Sequence, residues 1–146
     1  MSTYVEAARA STKSISTKPV STKSVWAGRI LSGIVVLFLV FDGAIKLVPL
    51  DIVITTSEQL GIPTHLARTL GVLTLACTLL YAWPRTSLLG AVLLTGYLGG
   101  AIYVHVRAGS PLFSHTLFGV YLGLIAWGGL WLRDPQLRAL FPVRRD

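Results

Sequence analysis

The sequence predicts an all-α integral membrane protein, an antiparallel bundle of four transmembrane helices with a short interfacial helix after the first. Of 146 residues, 53% are hydrophobic and 13% are charged, and the mean hydropathy is +0.67. Charged residues make up about a quarter of a typical soluble domain, so a water-soluble enzyme is disfavoured. The apolar residues also fall into runs of membrane-spanning length, and most basic residues lie outside those runs. The single cysteine, Cys77, excludes an internal disulfide and a CxxC redox pair.

Residues 1–25 predict a flexible basic tail. Ser-Thr-Lys recurs there at residues 11–13, 16–18 and 21–23, and Glu6 is the only acidic residue of this segment. So polar a segment buries too little apolar surface to offset the entropy lost on ordering. The membrane domain is expected over residues 26–132, and residues 133–146 predict a second basic tail.

The apolar runs cover residues 30–50, 66–83, 87–106 and 112–132. About 20 apolar residues cross the ~30 Å hydrocarbon layer, so each run predicts a transmembrane helix. The first run is too long for a signal peptide, and it contains charged residues. Short connections after the second and third runs favour antiparallel neighbours. The longer connection predicts a short amphipathic helix on the membrane face, ended by Gly61 and Pro63.

The basic residues predict the orientation of these helices. Ten of the 13 Lys and Arg residues lie on one side if the chain starts inside: Arg9, Lys13, Lys18, Lys23, Arg29, Arg85, Arg133, Arg138, Arg144 and Arg145. The positive-inside rule then places both termini in the cytoplasm. Trp26, Trp83 and Trp131 lie at the same helix ends, as an aromatic belt would. The high pI of about 10.1 is thereby explained by topology, and no nucleic acid is expected as a partner, since no recognition motif accompanies the bases.

Polar residues of the membrane region predict a ligand site near the outer surface. An ionisable residue inside a membrane is costly, so Asp42 is a functional candidate, and Lys46 lies one turn beyond it. The other helices bring further candidates to a similar depth: Arg68, Tyr97, Tyr103, His105, Arg107 and His115. Such a cluster suits an anion, a polar small molecule or a quinone headgroup, because histidine donates to carbonyl oxygens and titrates near neutral pH.

The same cluster has other interpretations. A self-neutralised Asp42–Lys46 pair within a structural polar network needs no chemistry. A metal site would need Asp42 or Glu58 beside the two histidines and is disfavoured, so no metal ligands are assigned. Catalytic residues are not assigned. Gly96-xxx-Gly100 and Gly119-xxx-Gly123 predict close approach of the third and fourth helices, or alternatively a homo-oligomer interface.

Three segments resemble a known family: LFLVFDGAIKL, LLGAVLLTGYLGGAIYVHVRAGSPLFSH and GGLWLRDPQLRALFP. They are similar to the DoxX-like family of small bacterial membrane proteins over about residues 26–142. The resemblance implies a four-helix protein of the bacterial inner membrane. For some relatives it also implies association with quinone-linked oxidoreductases, including a thiosulfate:quinone oxidoreductase, or with oxidative-stress enzymes.

These observations favour a membrane subunit or accessory of a quinone-linked redox system. In this hypothesis Asp42 and His105 handle protons, Arg68 and Arg107 hold negative charge, and His115 donates a hydrogen bond. Quinone is the candidate cofactor, and a soluble oxidoreductase is the candidate partner beside the lipid bilayer. The competing hypotheses are a non-catalytic scaffold that recruits a soluble partner through its basic termini, and a small dimeric transporter with Asp42 as its proton site.

Overall fold

The computed structural model describes residues 21–48 and 50–140, which are helical apart from short connections. Its helices are α1 (Thr22–Leu47), α2 (Asp51–Gln59), α3 (Leu66–Ala82), α4 (Ser87–Arg107), α5 (Phe118–Arg133) and α6 (Pro135–Leu140), with a π-helical turn over Leu112–Thr116 before α5. No strand occurs among the described residues. The predicted all-α class and the predicted short helix after the first apolar run are confirmed.

Three helical segments are long and apolar enough to cross a membrane. They are α1, α4 and the continuous segment Leu112–Arg133, which comprises the π-helical turn and α5. The remaining apolar helix, α3, has 17 residues and is shorter than these three. At 1.5 Å per residue, α3 is about 26 Å long, close to the ~30 Å thickness of the hydrocarbon layer.

Helix α1 begins earlier than the sequence predicts. The Ser21 side chain accepts a hydrogen bond from the backbone N–H of Ser24 at 3.3 Å, which caps the helix at Thr22. Residues 22–25, predicted as part of the flexible tail, are therefore helical. Residues 1–20 of the predicted tail, and residues 141–146 of the C-terminal one, lie outside the described residues.

The C-terminal segment also contains a helix. Asp134 Oδ1 accepts hydrogen bonds from the backbone N–H groups of Gln136 (2.9 Å) and Leu137 (3.1 Å) and so caps α6. The Leu137 side chain is buried in the core, which fixes α6 against the rest of the protein.

The four long helices pack in a ring, in which α1 and α4 each contact both α3 and α5. Glycines allow the closest approaches. An added Cβ at Gly28 would lie 2.6 Å from Gly129 O, and one at Gly71 would lie 2.8 Å from Gly43 O. At the contact of α3 with α4, a Cβ on Gly90 would lie only 2.2 Å from Tyr81 N.

The close approach predicted from the GxxxG spacings holds for the glycines of α5 and fails for those of α4. Gly119 and Gly123 both face α4, since added Cβ atoms would lie 2.9 Å from Ile102 Cγ1 and 3.8 Å from Leu98 Cδ1. Gly96 and Gly100, predicted to contact α5, instead face open space, as Gly99 does. The prediction was wrong for α4 because a four-residue spacing identifies a face of small residues but not the neighbour that this face meets.

An apolar layer fills the middle of the ring. It is built from Val35 and Leu39 of α1, Leu94 of α4 and Leu122 of α5, all almost fully buried. The buried hydroxyls of Thr74 and Thr78 in this region donate to carbonyls one turn earlier on their own helix. The outward faces carry large exposed apolar side chains, as a lipid-facing surface requires: Leu37, Phe41, Val72, Leu79, Leu89 and Leu124.

The ring has two ends, and each carries polar side chains. One end holds α2, the π-helical turn and the last turn of α1, and we call it the α2 side. The opposite end, with the first turn of α1, the α3–α4 connection and α6, is the termini side. Most polar side chains of the helices belong to one end or the other.

Candidate functional site

Lys46 is the centre of a polar cluster on the α2 side. Its Nζ forms an ion pair with the carboxylate of Asp42, four residues earlier on α1, and donates a hydrogen bond to Tyr97 Oη of α4 at 3.2 Å. The ammonium also lies 5.9 Å from the centroid of the Tyr97 ring. The i,i+4 pairing expected from the sequence is therefore present, and α4 adds a phenol to it.

Two histidines meet beside this ion pair. The His105 ring at the end of α4 and the His115 ring in the π-helical turn have centroids 5.8 Å apart. Each Nδ1 has a serine partner, Ser110 Oγ at 3.1 Å for His105 and Ser114 Oγ at 2.8 Å for His115. These bonds orient both rings and leave each Nε2 without a hydrogen-bond partner among the described residues.

The π-helical turn places His115 next to His105. Its wide i→i+5 bonds run from Thr116 N to Pro111 O (3.2 Å) and from Leu117 N to Leu112 O (2.8 Å). The sequence run from residue 112 was predicted as the regular start of a transmembrane helix. The chain instead adopts the wider turn directly after Pro111, and α5 begins at Phe118.

A cavity of about 210 Å³ connects these groups. Its polar lining consists of Asp42, Lys46, Tyr97, His105 and His115. Its walls are apolar side chains of α1, α4 and α5, among them Phe38, Leu98, Ile102 and Phe118. The described side chains thus surround a space that offers hydrogen-bond donors at one part of its wall and apolar contacts at the rest.

The other predicted site residues lie outside this cavity. Arg68 lines a neighbouring groove of about 350 Å³, which it shares with Lys46 and His65. Arg107 Nη2 donates to Leu60 O at 2.9 Å and to Gly61 O at 3.2 Å, so it ties the end of α4 to the turn after α2. Tyr103 is 66% exposed on the outer face of α4.

Helix α2 lies over the ion pair. A further cavity of about 210 Å³ beneath it is lined by Asp42 and Lys46 on one side and by Val53, Thr56 and Ser57 of α2 on the other. Arg107 holds the C-terminal end of α2 in place through the two carbonyls named above. Helix α2 therefore forms one wall of the space beside the ion pair.

The donor set of the cluster decides which ligands it suits. No group of three or more His, Cys, Asp or Glu side chains that could hold a metal ion occurs within residues 21–48 and 50–140. The cluster is instead rich in N–H and O–H donors, which suit a ligand with carbonyl or anionic oxygens.

Comparison with known proteins agrees with this architecture. A family model described as the DoxX-like family matches residues 30–129, a range that begins within α1 and ends within α5. The chain belongs to the DoxX-like family. No curated protein and no solved structure matches the chain. The resemblance predicted from the three sequence segments is confirmed, and this DoxX-like chain is a membrane protein whose exposed apolar helices contact the lipid bilayer.

A second polar network of this DoxX-like protein lies toward the termini side. Tyr81 is fully buried, and its Oη donates to Ala126 O at 2.7 Å and bonds Ser32 Oγ at 3.0 Å. Arg133 covers the Tyr81 ring, with Cζ 5.5 Å from the ring centroid. The sequence alone does not identify the partners of Tyr81, because they come from α1 and α5.

Proposed function

We propose that the cavity beside Lys46 binds the headgroup of a lipid-soluble quinone. In this proposal the DoxX-like protein is a membrane subunit or accessory of a quinone-linked redox or oxidative-stress system. The observation that carries the proposal is the single cavity that combines Lys46, Tyr97, His105 and His115 with apolar walls. Polar donors in a mostly apolar pocket are typical of small-molecule sites.

The lining fits a quinone headgroup in its chemistry. A quinone presents carbonyl oxygens, which accept hydrogen bonds, on an apolar ring. The Lys46 ammonium, the Tyr97 hydroxyl and the free Nε2 atoms of the histidines supply donors. Phe38, Ile102 and Phe118 supply apolar contact for the ring. When bound, the quinone would supply two-electron, two-proton redox chemistry.

The residues of the chain have distinct parts in this site. Asp42 holds the charge of Lys46 and keeps the ammonium directed at Tyr97. Ser110 and Ser114 fix the two imidazole rings through Nδ1, so that Nε2 of His105 and of His115 can donate or accept a proton. Arg107 holds α2 over the ion pair, which limits the access of water. Arg68 remains a candidate for attracting negative charge to the neighbouring groove.

Titration with short-chain ubiquinone and menaquinone analogues tests the proposal. The purified full chain in mild detergent is titrated while its tryptophan fluorescence is followed, and quinone that co-purifies is extracted and quantified. We expect His105→Ala to weaken binding about tenfold, because one charge-assisted or neutral hydrogen bond is lost along with packing. The control is His65→Ala, which removes the histidine that does not line this cavity. The His65→Ala protein should bind the quinone analogues as tightly as the native protein does.

Two results would exclude the quinone site. One is the absence of co-purified quinone together with no saturable binding of either analogue. The other is equal binding by the His105→Ala and His65→Ala proteins. Thermal unfolding of each variant in the same detergent separates a lost ligand contact from a lost fold.

We further propose that α3 crosses the membrane as a fourth span, with both termini in the cytoplasm of a bacterial inner membrane. Exposed apolar side chains on α3, Val72, Leu73 and Leu79, support a lipid-facing surface of the same kind as on α1. The excess of basic residues on the termini side supports the orientation.

The proposed partners rest on other features. Recruitment of a soluble oxidoreductase through the basic termini stays a prediction, since residues 1–20 and 141–146 lie outside the described chain. A homo-oligomer also stays a prediction. The open glycine face of α4, with Gly96, Gly99 and Gly100, is where a second helix could approach closely.

A further inference from the structure

Another cavity lies at the other end of the bundle, on the termini side. It has a volume of about 240 Å³, and its polar lining consists of Arg29, Ser87, Arg133 and Asp134. It is formed where the start of α1, the α3–α4 connection and the junction of α5 with α6 meet. Neither the ion pair of Lys46 nor the histidines contribute to it.

Arg133 is held in this cavity with unused hydrogen-bonding capacity. Its guanidinium lies over the Tyr81 ring, and its Nη2 is 3.4 Å from Tyr81 O, a long hydrogen bond. Its Nε is buried and has no hydrogen-bond partner within residues 21–48 and 50–140. A buried donor without a partner is unfavourable, so a ligand that accepts this hydrogen bond would be favoured.

The carboxylate nearby offsets only part of the positive charge of the cavity, because Asp134 brings one negative charge against the two positive charges of Arg29 and Arg133. Asp134 uses its Oδ1 to cap α6, accepting from the N–H groups of Gln136 and Leu137. The one ion pair between described side chains is that of Lys46 with Asp42, so neither Arg29 nor Arg133 is paired with a described acidic side chain. Two guanidinium groups therefore face one carboxylate that is already engaged.

The position of the cavity indicates where its ligand comes from. Trp26, Trp83 and Trp131 lie at the same helix ends as the cavity, and the first two are 58% and 61% exposed. Exposed tryptophans mark the level of lipid headgroups in membrane proteins. Arg29 itself lies with its Cζ 5.7 Å from the Trp26 ring centroid, which holds it near that level.

We propose that this cavity binds a phosphate group, supplied by the headgroup of an anionic phospholipid. The planar donor set of a guanidinium matches phosphate oxygens, and Arg133 offers an N–H donor that no described residue satisfies. Basic cavities between transmembrane helices at the membrane surface bind anionic headgroups in this way. The site is separate from the proposed quinone cavity and does not depend on it.

Binding of lipids to the purified full chain tests this assignment. Short-chain phosphatidylglycerol, short-chain phosphatidylcholine and inorganic phosphate are titrated separately, with native mass spectrometry as the readout. We expect saturable binding of phosphatidylglycerol, and Arg29→Gln should weaken it about fivefold, as the loss of one base near the headgroup predicts. Arg85→Gln is the matched control, because Arg85 is an exposed arginine of the α3–α4 connection that does not line the cavity.

Arg133→Gln gives a second test of the same site, with a stronger expected loss because Arg133 is the buried donor. Since Arg133 also contacts Tyr81, the unfolding temperature of the Arg133→Gln protein is measured in parallel. If that protein does not fold, the result for Arg29→Gln decides the test. Equal weakening by Arg29→Gln and Arg85→Gln would overturn the proposal, because it would indicate attraction by net charge alone. Equal affinity for phosphatidylcholine would also overturn it. Saturable binding of inorganic phosphate without phosphatidylglycerol would keep the phosphate site and overturn the lipid as its source.

Discussion

Lys46, in the last turn of α1, lines the proposed quinone cavity. Its partner Asp42 could be predicted from the sequence, because two oppositely charged residues four apart on a helix lie on the same face. Its other partner could not. Tyr97 lies 51 residues further along the chain, and no local pattern indicates that its hydroxyl reaches the Lys46 ammonium.

Replacement of Asp42 by Asn should destabilise the protein through Lys46. The side chains of Lys46 and Asp42 are 26% and 29% exposed, so the ammonium would lose a carboxylate in a partly buried place. We expect the free energy of unfolding to fall by about 1–2 kcal/mol, less than for a fully buried pair. Denaturant unfolding in mild detergent measures the change.

The double variant Asp42→Asn with Lys46→Met serves as the control for this charge effect. It removes the unpaired ammonium as well, so most of the lost stability should return. A double variant no more stable than Asp42→Asn alone would contradict this explanation.

The predicted site residues divide according to the direction in which each side chain leaves its helix. His105 faces the cavity, Tyr103 faces outward, and Arg107 reaches the carbonyls after α2. The place of each residue along its helix could be predicted from its place in an apolar run. Its direction could not, because α4 is apolar on all sides and its sequence has no polar face to mark the outside.

The helices of the ring are held together by glycine contacts, and α3 and α4 make the closest of them. Gly90 lies directly against the backbone of Tyr81, whereas Gly99 of the same helix faces open space. The sequence contains both glycines in one apolar run and does not distinguish them. The distinction follows from how α3 and α4 are rotated against each other.

Gly90→Ala and Gly99→Ala should therefore have opposite effects. A Cβ on Gly90 would lie 2.2 Å from Tyr81 N, so α3 and α4 would have to separate, at a cost of about 1–3 kcal/mol or more. Gly99→Ala meets nothing within 4 Å, and the better helix propensity of alanine adds up to ~1 kcal/mol. Unfolding temperatures in detergent compare the two, and a similar loss in both variants would contradict the assignment of α4's faces.

The fold class of the chain follows from the distribution of its apolar and charged residues. The all-helical class, three helices capable of crossing a membrane and the DoxX-like family could be predicted from the sequence. Apolar runs of this length leave helices as the way to satisfy backbone hydrogen bonds in lipid. The polar network around Tyr81 and the cavity at Arg133 could not be predicted. They depend on which helices become neighbours, and this is a property of the assembled ring.

Cysteine labelling tests the proposed four spans and their orientation. In a Cys77→Ala background, Thr55→Cys on α2 and Arg85→Cys after α3 place exposed thiols on either side of α3. A membrane-impermeant maleimide should label the first in intact cells and the second only after the membrane is opened. Labelling of both in intact cells would show that α3 does not cross, and the reverse pattern would invert the orientation.

The apolar layer also separates the polar groups at the two ends of this DoxX-like chain. From Asp42 to Ser32, ten residues along α1, the distance is about 15 Å. The Thr74 and Thr78 hydroxyls within it are bonded to their own helix, so the described side chains form no proton wire across it. In the proposed quinone function, protons taken up or released at the Lys46 cavity would therefore return to the aqueous phase on the α2 side. Such chemistry would move no proton across the membrane through the described side chains of this chain.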